Sequence, residues 1–348
     1  MYGHNEVNEL FANSASSLRQ AQAQFAETQQ RRAFANNKEQ KMFGNAAAVI
    51  PRDVYLEFDS VTKKIMRNDE GDTILNDLLG LSRAIDIGKI EYKYRRVSDS
   101  GNAVTTLSGQ TAITMDKAAY SYDSAIVPVH QDGFGREWRE LAGLRSEGFD
   151  ALIDDQENSV RAVRRQMVDY ILDGSGVTFN GITWSGLRND SRVASVDLGG
   201  SGLNVDLTSG AVTAQTVRDT FKSLRDTLRI TNNVSGQITF YVSREIMSNL
   251  ERYYSDNDGG YGTMLDAVLA LNGIAAVKES AKLVGNELFA MELSSSVIQP
   301  LVGMSVSTIP LDRPNPMDAY NFMTWGAMGI QVKTDYDGRT GVLYASEA

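Results

Sequence analysis

The chain has 348 residues, 42% of them hydrophobic and 22% charged, a composition typical of a folded protein with room for two modest domains. It carries 34 Lys and Arg against 44 Asp and Glu, and the resulting net charge of −10 argues against a dedicated DNA-binding protein. Cysteine is absent, which excludes disulfides and thiolate metal sites, and no run of 18 apolar residues is present that could span a membrane.

The first segment, residues 1–50, is rich in Gln, Asn and Ala and has thinly spaced apolar residues. Its anchors Phe11, Leu18 and Phe25 are too few to build a core of their own. The segment is therefore either a partly disordered tail or an arm that gains order by lying on a neighbouring subunit, and we favour the arm. Residues 51–84, which follow, are predicted to form a short helical segment.

Residues 87–130 change to an alternating pattern, which predicts a β-hairpin. The alternation gives the first strand two faces, one with Tyr92, Tyr94 and Arg96 and the other with Lys93 and Arg95. A polar turn at 98–102 and a second alternating strand at 118–129 complete the hairpin. Because an isolated hairpin is marginal in water, it must pack on its own domain or over an adjacent subunit.

Residues 131–189 contain the longest helical pattern of the chain. A short helical stretch is predicted to open at Gly133-Phe134-Gly135, and apolar steps of three, four and seven predict a long helix over 149–173. At about 1.5 Å per residue, this helix would reach roughly 37 Å. Glycine then ends it, and the predicted structural turn comprises Gly174, Gly176, Gly186, Leu187 and Asn189. An ordinary core helix with a glycine cap would give the same helical pattern.

Helical patterns alternate with short apolar strands over residues 190–311, which predicts a compact α+β domain. Within it, Thr213 is placed to cap a helix over 213–230. Prolines mark a boundary near the start of segment 312–348, which we interpret as strands of a C-terminal hairpin returning to a sheet.

Motifs for catalysis or cofactor binding are sparse. The two histidines, His4 and His130, allow neither a Ser-His-Asp arrangement nor a zinc site with three or four His or Cys ligands. The acidic turn at 256–259 lacks the alternating ligands and the twelfth-position glutamate of a calcium loop. We therefore expect no metal, no cofactor and no enzymatic activity.

The long helix, the Gly-x-Gly turn at Gly174 and the Gly-Leu-x-Asn sequence that starts at Gly186 together resemble tailed-phage major capsid proteins of the Hong Kong 97 type, whose fold encapsulin shell proteins share. The resemblance implies an α+β fold. It also implies an N-terminal arm over 1–50, the first part of a peripheral domain over 51–86, an extended loop over 87–130, a spine helix with its glycine turn over 131–189, an axial domain over 190–311, and C-terminal strands over 312–348.

The resemblance implies a structural protein of the virion, assembled in the host cytoplasm into an icosahedral shell. Many copies would form hexamers and pentamers around dsDNA that is held non-specifically, with no membrane involved. A decoration or cement protein, a portal and a separate scaffold are further candidate partners. Three alternatives stay open: an encapsulin-type compartment, another phage structural protein such as a portal or tail component, and a carboxylate-dependent hydrolase.

Contacts between subunits are expected at the extended loop, at the arm and at the start of the spine helix. The predicted contact residues are Tyr92, Lys93, Tyr94, Arg95 and Arg96 of the loop, Asp154 and Asp155 of the helix, and Phe11, Leu18 and Phe25 of the arm. Because the loop is basic and the protein acidic, we predict that Arg95 and Arg96, helped by Lys93, pair with acidic residues of the next copy, such as Asp154 and Asp155.

Overall fold

The computed structural model describes residues 72–101, 103–108, 110, 115–146, 151–254 and 262–347. The predicted arm, with Phe11, Leu18 and Phe25, lies outside these residues. So do the first part of the 51–86 segment and the acidic turn at 256–259.

Helices and strands alternate along the described chain. The helices are α1 (Asp72–Leu79), α2 (Trp138–Ser146), α3 (Ala151–Asp173), α4 (Ala214–Asp226), α5 (Arg244–Leu250) and α6 (Met264–Leu269). The strands are β1 (Arg83–Ala84), β2 (Glu91–Val97), β3 (Tyr120–Ile126), β4 (Val129–Arg136), β5 (Thr178–Phe179), β6 (Ile182–Thr183), β7 (Ala194–Asp197), β8 (Ile238–Val242), β9 (Ile274–Glu279), β10 (Glu287–Glu292), β11 (Ile298–Pro310), β12 (Tyr320–Val332) and β13 (Val342–Ser346).

The predicted long helix is confirmed by α3, which has 23 residues. Its buried face includes Val163, Met167 and Ile171, at the helical spacing that the sequence shows. The helix ends where Gly174 takes a positive φ of 79°, a conformation that glycine adopts without strain.

A four-stranded sheet in the order β1, β11, β12, β4 supports α3. The strands β11 and β12 form a long antiparallel hairpin with irregular register near Met304, and β4 continues the sheet antiparallel to β12. Met328, Ile330 and Val332 of β12 enter the same apolar cluster as the buried side of α3. We name these strands with α3 the first unit.

A five-stranded sheet in the order β7, β13, β10, β8, β9 forms the second unit, together with α4, α5 and α6. The predicted cap of α4 is confirmed, since the Thr213 side chain accepts a hydrogen bond from the Thr216 backbone N–H. Phe221 of α4 packs edge-on against Phe240 of β8, and every residue of β8 is buried. Burial of this interior strand on both faces explains its largely apolar sequence.

The predicted short helical stretch is confirmed by α2, but its predicted opening at Gly133-Phe134-Gly135 is wrong, because these residues lie in β4. A Cβ at Gly135 would come 2.2 Å from Asn321 Oδ1 and 2.9 Å from Tyr320 O, so only glycine lets the two strands approach. Phe134 stacks on Phe322 of β12 with ring centroids 5.2 Å apart. Cross-strand packing, which the local sequence does not encode, decides the structure here.

The prediction that the last two strands pair with each other as a C-terminal hairpin is also wrong. Strand β12 pairs with β11 and β4 in the first unit, whereas β13 pairs with β10 and β7 in the second. Strand β11, which falls inside the predicted 190–311 segment, belongs to the sheet of the first unit. The last two strands thus belong to two different sheets. Short apolar runs in a sequence predict strands but do not show which sheet each strand joins.

Candidate inter-subunit interface

The turn after α3 is fixed by two glycines that face each other. Gly174 and Gly186 have φ values of 79° and 83°. A Cβ on Gly174 would lie 2.3 Å from Trp184 O, and a Cβ on Gly186 would lie 2.3 Å from Leu172 O. No described atom lies within 4 Å of a Cβ built on Gly176, so the close approach concerns the other two glycines.

Leu187 lies at the junction of the two units. It is fully buried in a cluster that also holds Ile171 of α3, Ile330 of β12 and Phe289 of β10. The Asn189 side chain is exposed, and its backbone N–H donates to Gly186 O at 3.1 Å. Leu187 thus joins α3 to both sheets.

The neighbouring Arg188 reinforces this junction through charges. Its Nε donates to Glu287 Oε1 of β10 at 2.5 Å, and its guanidinium also contacts Asp173 at the end of α3. Burial alone would lower the pKa of Arg188, but the hydrogen bonds that it donates to Glu287 and Asp173 raise its pKa above the ordinary value. The arginine therefore stays charged and ties the two units together.

The strands β2 and β3 form a two-stranded hairpin separate from both sheets. Its inner face packs on the body of the same chain: the Tyr94 hydroxyl accepts from the Thr334 backbone N–H at 3.0 Å, and Arg96 donates to Thr334 Oγ1 at 3.1 Å. Burial raises the pKa of Tyr94. Tyr92, half-buried, lies under the guanidinium of Arg83, 5.1 Å from its ring centroid.

The outer face of the hairpin is exposed and mixes aromatic with basic side chains. Tyr120 and Tyr122 are 59% and 64% exposed, and the Arg95 guanidinium lies 5.5 Å from the Tyr120 ring centroid. Lys93 lies 3.1 Å from Glu91 of the same strand. Beyond the strands the loop also exposes Leu107 completely. The predicted two faces of the strand are therefore distinct, with Arg96 on the inner one.

The two aspartates at the start of α3 lie half-buried. Asp155 receives a bidentate contact from Arg136 of β4, with Nε–Oδ2 at 2.5 Å and Nη2–Oδ1 at 3.0 Å. The hydrogen bonds that Arg136 donates to Asp155 raise the pKa of Arg136. Asp154 also has an interaction within the described chain. Of the predicted charge partners, Asp155 and Arg96 thus already have partners in their own chain, while Arg95 points outward.

The face of the first sheet opposite α3 is partly open, a feature that sequence reasoning missed. Residues directly opposite each other in a ladder share a face, and the register places Ile309 beside Met323 and Gly133 on the other side of it. Trp325 lies next along the same face. Gly133 is exposed and Ile309 is 37% exposed. The period-two pattern of β12 was the signal that could have revealed this apolar face.

Groups suited to catalysis are few. His130 is buried beside the Tyr170 ring, with Nε2 3.2 Å from Met328 O, and burial lowers its pKa. Burial raises the pKa of Glu292. Within the described ranges, no group of three or more His, Cys, Asp or Glu could hold a metal ion. The same residues include no helix long and apolar enough to cross a membrane.

Solved structures share this architecture. The chain is similar to the capsid of Myoviridae phage XM1, with a TM-score of 0.66 at 12% identity over 87% of this chain and 100% of that one. For Mycobacterium phage Bobi the TM-score is 0.61 at 8% identity, over 85% and 97% of the two chains. For the capsid of the native GTA particle it is 0.56 at 12% identity, over 87% and 99%.

These likenesses, together with the long helix, the separate hairpin and the two α+β units, show a fold of the Hong Kong 97 type. No curated protein matches the chain by sequence. A family of unknown function, DUF6260, matches residues 45–345, and the chain belongs to this family.

Proposed function

We propose that this chain is a major capsid protein of a tailed phage that self-assembles into an icosahedral head around the DNA genome. The observation that carries the proposal is the separate hairpin, whose outer face exposes Tyr120, Tyr122 and Val97 by about half or more. A lone monomer gains no stability from aromatic side chains held in water. A shell subunit buries them against the next copy, which stabilises the assembly. The shared capsid fold agrees with this function.

The open face of the first sheet is the surface that we propose receives the neighbour's hairpin. Met323 and Trp325 provide apolar area, and the exposed Gly133 beside them carries no side chain. An aromatic side chain of the neighbour can lie flat on the strand at Gly133, because no Cβ occupies the space above it. Each copy then offers one hairpin and one receiving face, the head-to-tail geometry that builds rings.

Apolar burial outweighs charge in this contact. Fully burying a large apolar side chain contributes about 1.5–3 kcal/mol, so covering the exposed half of Tyr120 or Tyr122 contributes roughly 1 kcal/mol. An exposed ion pair contributes about 0–1 kcal/mol and weakens in salt. Arg95 and Lys93 would therefore steer the encounter, whereas the tyrosines would hold the contact.

The remaining roles follow from the family resemblance. The first unit would act as the peripheral domain, and the second as the axial domain that meets its copies within hexamers and pentamers. The segment over 1–50 would add a third contact, and several modest contacts per copy make a closed shell stable. The protein would act without catalysis. Packaged dsDNA would be held non-specifically. A portal, a decoration or cement protein and a separate scaffold would be partners of assembly, which would take place in the host cytoplasm.

The test is to purify the protein expressed alone and to examine it by light scattering and negative-stain microscopy. Closed, uniform shells are expected. A protein that stays monomeric at all concentrations and salts would contradict the proposal. Open rings would indicate a portal or tail component, and shells filled with a co-purified enzyme would indicate an encapsulin-type compartment.

Charge reversal tests how the hairpin engages its neighbour. Arg95→Glu should slow assembly at low salt, with less effect at high salt, while the unfolding temperature of the monomer stays nearly unchanged, because Arg95 is exposed on the outer face. A matched single reversal, Arg96→Glu, should instead lower the stability of the monomer, because Arg96 contacts Thr334 of its own chain. Equal assembly rates for Arg95→Glu and the unmutated protein would rule out steering by Arg95.

A further inference from the structure

A cluster of polar side chains joins the hairpin to the turn that follows α3. At its centre Arg192 holds Asp190 with two bonds, Nε–Oδ1 at 2.8 Å and Nη2–Oδ2 at 2.7 Å. Its third nitrogen, Nη1, donates to Asp123 Oδ2 of β3 at 3.2 Å. The guanidinium also lies 5.4 Å from the ring centroid of Trp184. One arginine therefore contacts the turn with two nitrogens and the hairpin with the third.

The cluster is anchored to rigid elements on both sides. Trp184 donates through Nε1 to Tyr170 O of α3 at 2.7 Å. On the hairpin side, the Tyr94 hydroxyl lies 3.1 Å from Asp123 Oδ2 and accepts from the Thr334 N–H that follows β12. The chain of contacts therefore runs from the spine helix, through the arginine, to both strands of the hairpin and on to the first sheet.

Burial makes these contacts strong. The Asp190 side chain is 6% exposed, and those of Arg192 and Asp123 are 20% and 24% exposed. Burial alone would lower the pKa of Arg192, but the hydrogen bonds and charges of Asp190 and Asp123 raise it above its ordinary value. Three charges that are largely shielded from water keep one geometry, because any other arrangement leaves a charge without its partner.

We propose that Arg192 is a positioning residue that sets the direction in which the hairpin leaves the subunit, and that this direction determines the curvature and hence the diameter of the shell. The two strands of the hairpin form a sheet of their own, so no regular strand pairing joins them to the first sheet. The angle of the hairpin to the body therefore depends on the short link from β3 to β4, on the buried contacts of Ala125 and Val127, and on the polar contacts of the Arg192 cluster. The direction of the hairpin sets the angle between adjacent subunits. Because every contact of a closed shell uses the same geometry, a small change in this angle is repeated at each contact and changes the shell diameter.

This inference rests on the proposed shell function, so its test includes one measurement on the monomer that does not require a shell. Because the chain has no cysteine, dyes can be placed at Ser100→Cys near the hairpin end and Lys222→Cys on α4, both exposed positions. Fluorescence energy transfer between the two dyes in single monomers then reports the direction of the hairpin. The second measurement determines the diameters of assembled particles by electron microscopy.

The variant is Asp123→Asn, which keeps the side-chain shape and removes the charge that Arg192 meets on the hairpin. The population of other hairpin orientations should rise on the order of tenfold, the change expected when one charge-assisted hydrogen bond is lost. The transfer distribution should broaden, and particle diameters should spread or shift. Asp99→Asn is the matched control, because it removes the same charge from an exposed position next to β2, and it should change neither distribution.

Tyr94→Phe provides a second route if Asp123→Asn lowers the unfolding temperature. It removes the hydroxyl that joins Asp123 to Thr334 and should broaden the transfer distribution in the same way. Unchanged transfer in both variants would overturn the inference, and so would broadened transfer with particles of unchanged diameter. If the unmutated protein forms no shells, the proposed shell function is wrong. The energy-transfer measurement on monomers still decides whether Arg192 sets the direction of the hairpin.

Discussion

Replacing Leu187 with alanine tests whether one apolar cluster joins the two units. Leu187 is fully buried, and its cluster draws residues from α3, β12 and β10. Removing a Leu side chain from such a site costs about 2–5 kcal/mol, the transfer term plus the cavity left behind. With an unfolding entropy of about 2.1 cal/mol/K per residue over 348 residues, this loss lowers the melting temperature by roughly 3–7 °C if both units unfold together.

The assay is chemical denaturation and calorimetry of the unassembled protein, with Leu203→Ala as the matched control. Leu203 is 38% exposed, so the same substitution there should change the free energy of unfolding by less than about 1 kcal/mol. An equal effect of the two substitutions would refute the reasoning. Separate unfolding of the two units in Leu187→Ala, but not in the unmutated protein, would show that this residue couples them.

Three further outcomes are expected. Gly174→Ala should lower the free energy of unfolding by more than about 1 kcal/mol, because the new Cβ would lie 2.3 Å from a carbonyl oxygen at a φ of 79°, whereas Gly176→Ala should be tolerated. Tyr120→Ser with Tyr122→Ser should abolish shells in light scattering without lowering the melting temperature of the monomer; shells that survive at normal yield would exclude the hairpin contact. Burial lowers the pKa of His130, so the unfolded chain binds the proton more readily; stability should be complete above the ordinary pKa of about 6.5 and fall as the pH drops through it. His130→Phe should remove that part of the pH dependence of unfolding, and an identical pH profile would show that His130 titrates normally.

Local signals in the sequence were sufficient for the elements with strong periodicity. The apolar spacing predicted α3, a hydroxyl before an apolar pattern predicted the Thr213 cap, and alternation predicted the strands of the hairpin. These features depend on neighbours within a few residues along the chain, so a single sequence contains them. The resemblance to capsid proteins rested on the same stretch, and the shared fold confirms it.

The tertiary structure decided what depends on residues far apart in the chain. The local sequence predicts that Gly133 and Gly135 open a helix, yet they lie in β4 because this segment pairs with β12. The close approach of β12 leaves no room for a side chain at Gly135. The alternation of β2 defined two faces without showing that Arg96 meets Thr334 of its own chain. The contact of Arg192 with Asp123, 69 positions away, leaves no pattern in the sequence, because side-chain partners across such distances are set by packing of the whole chain.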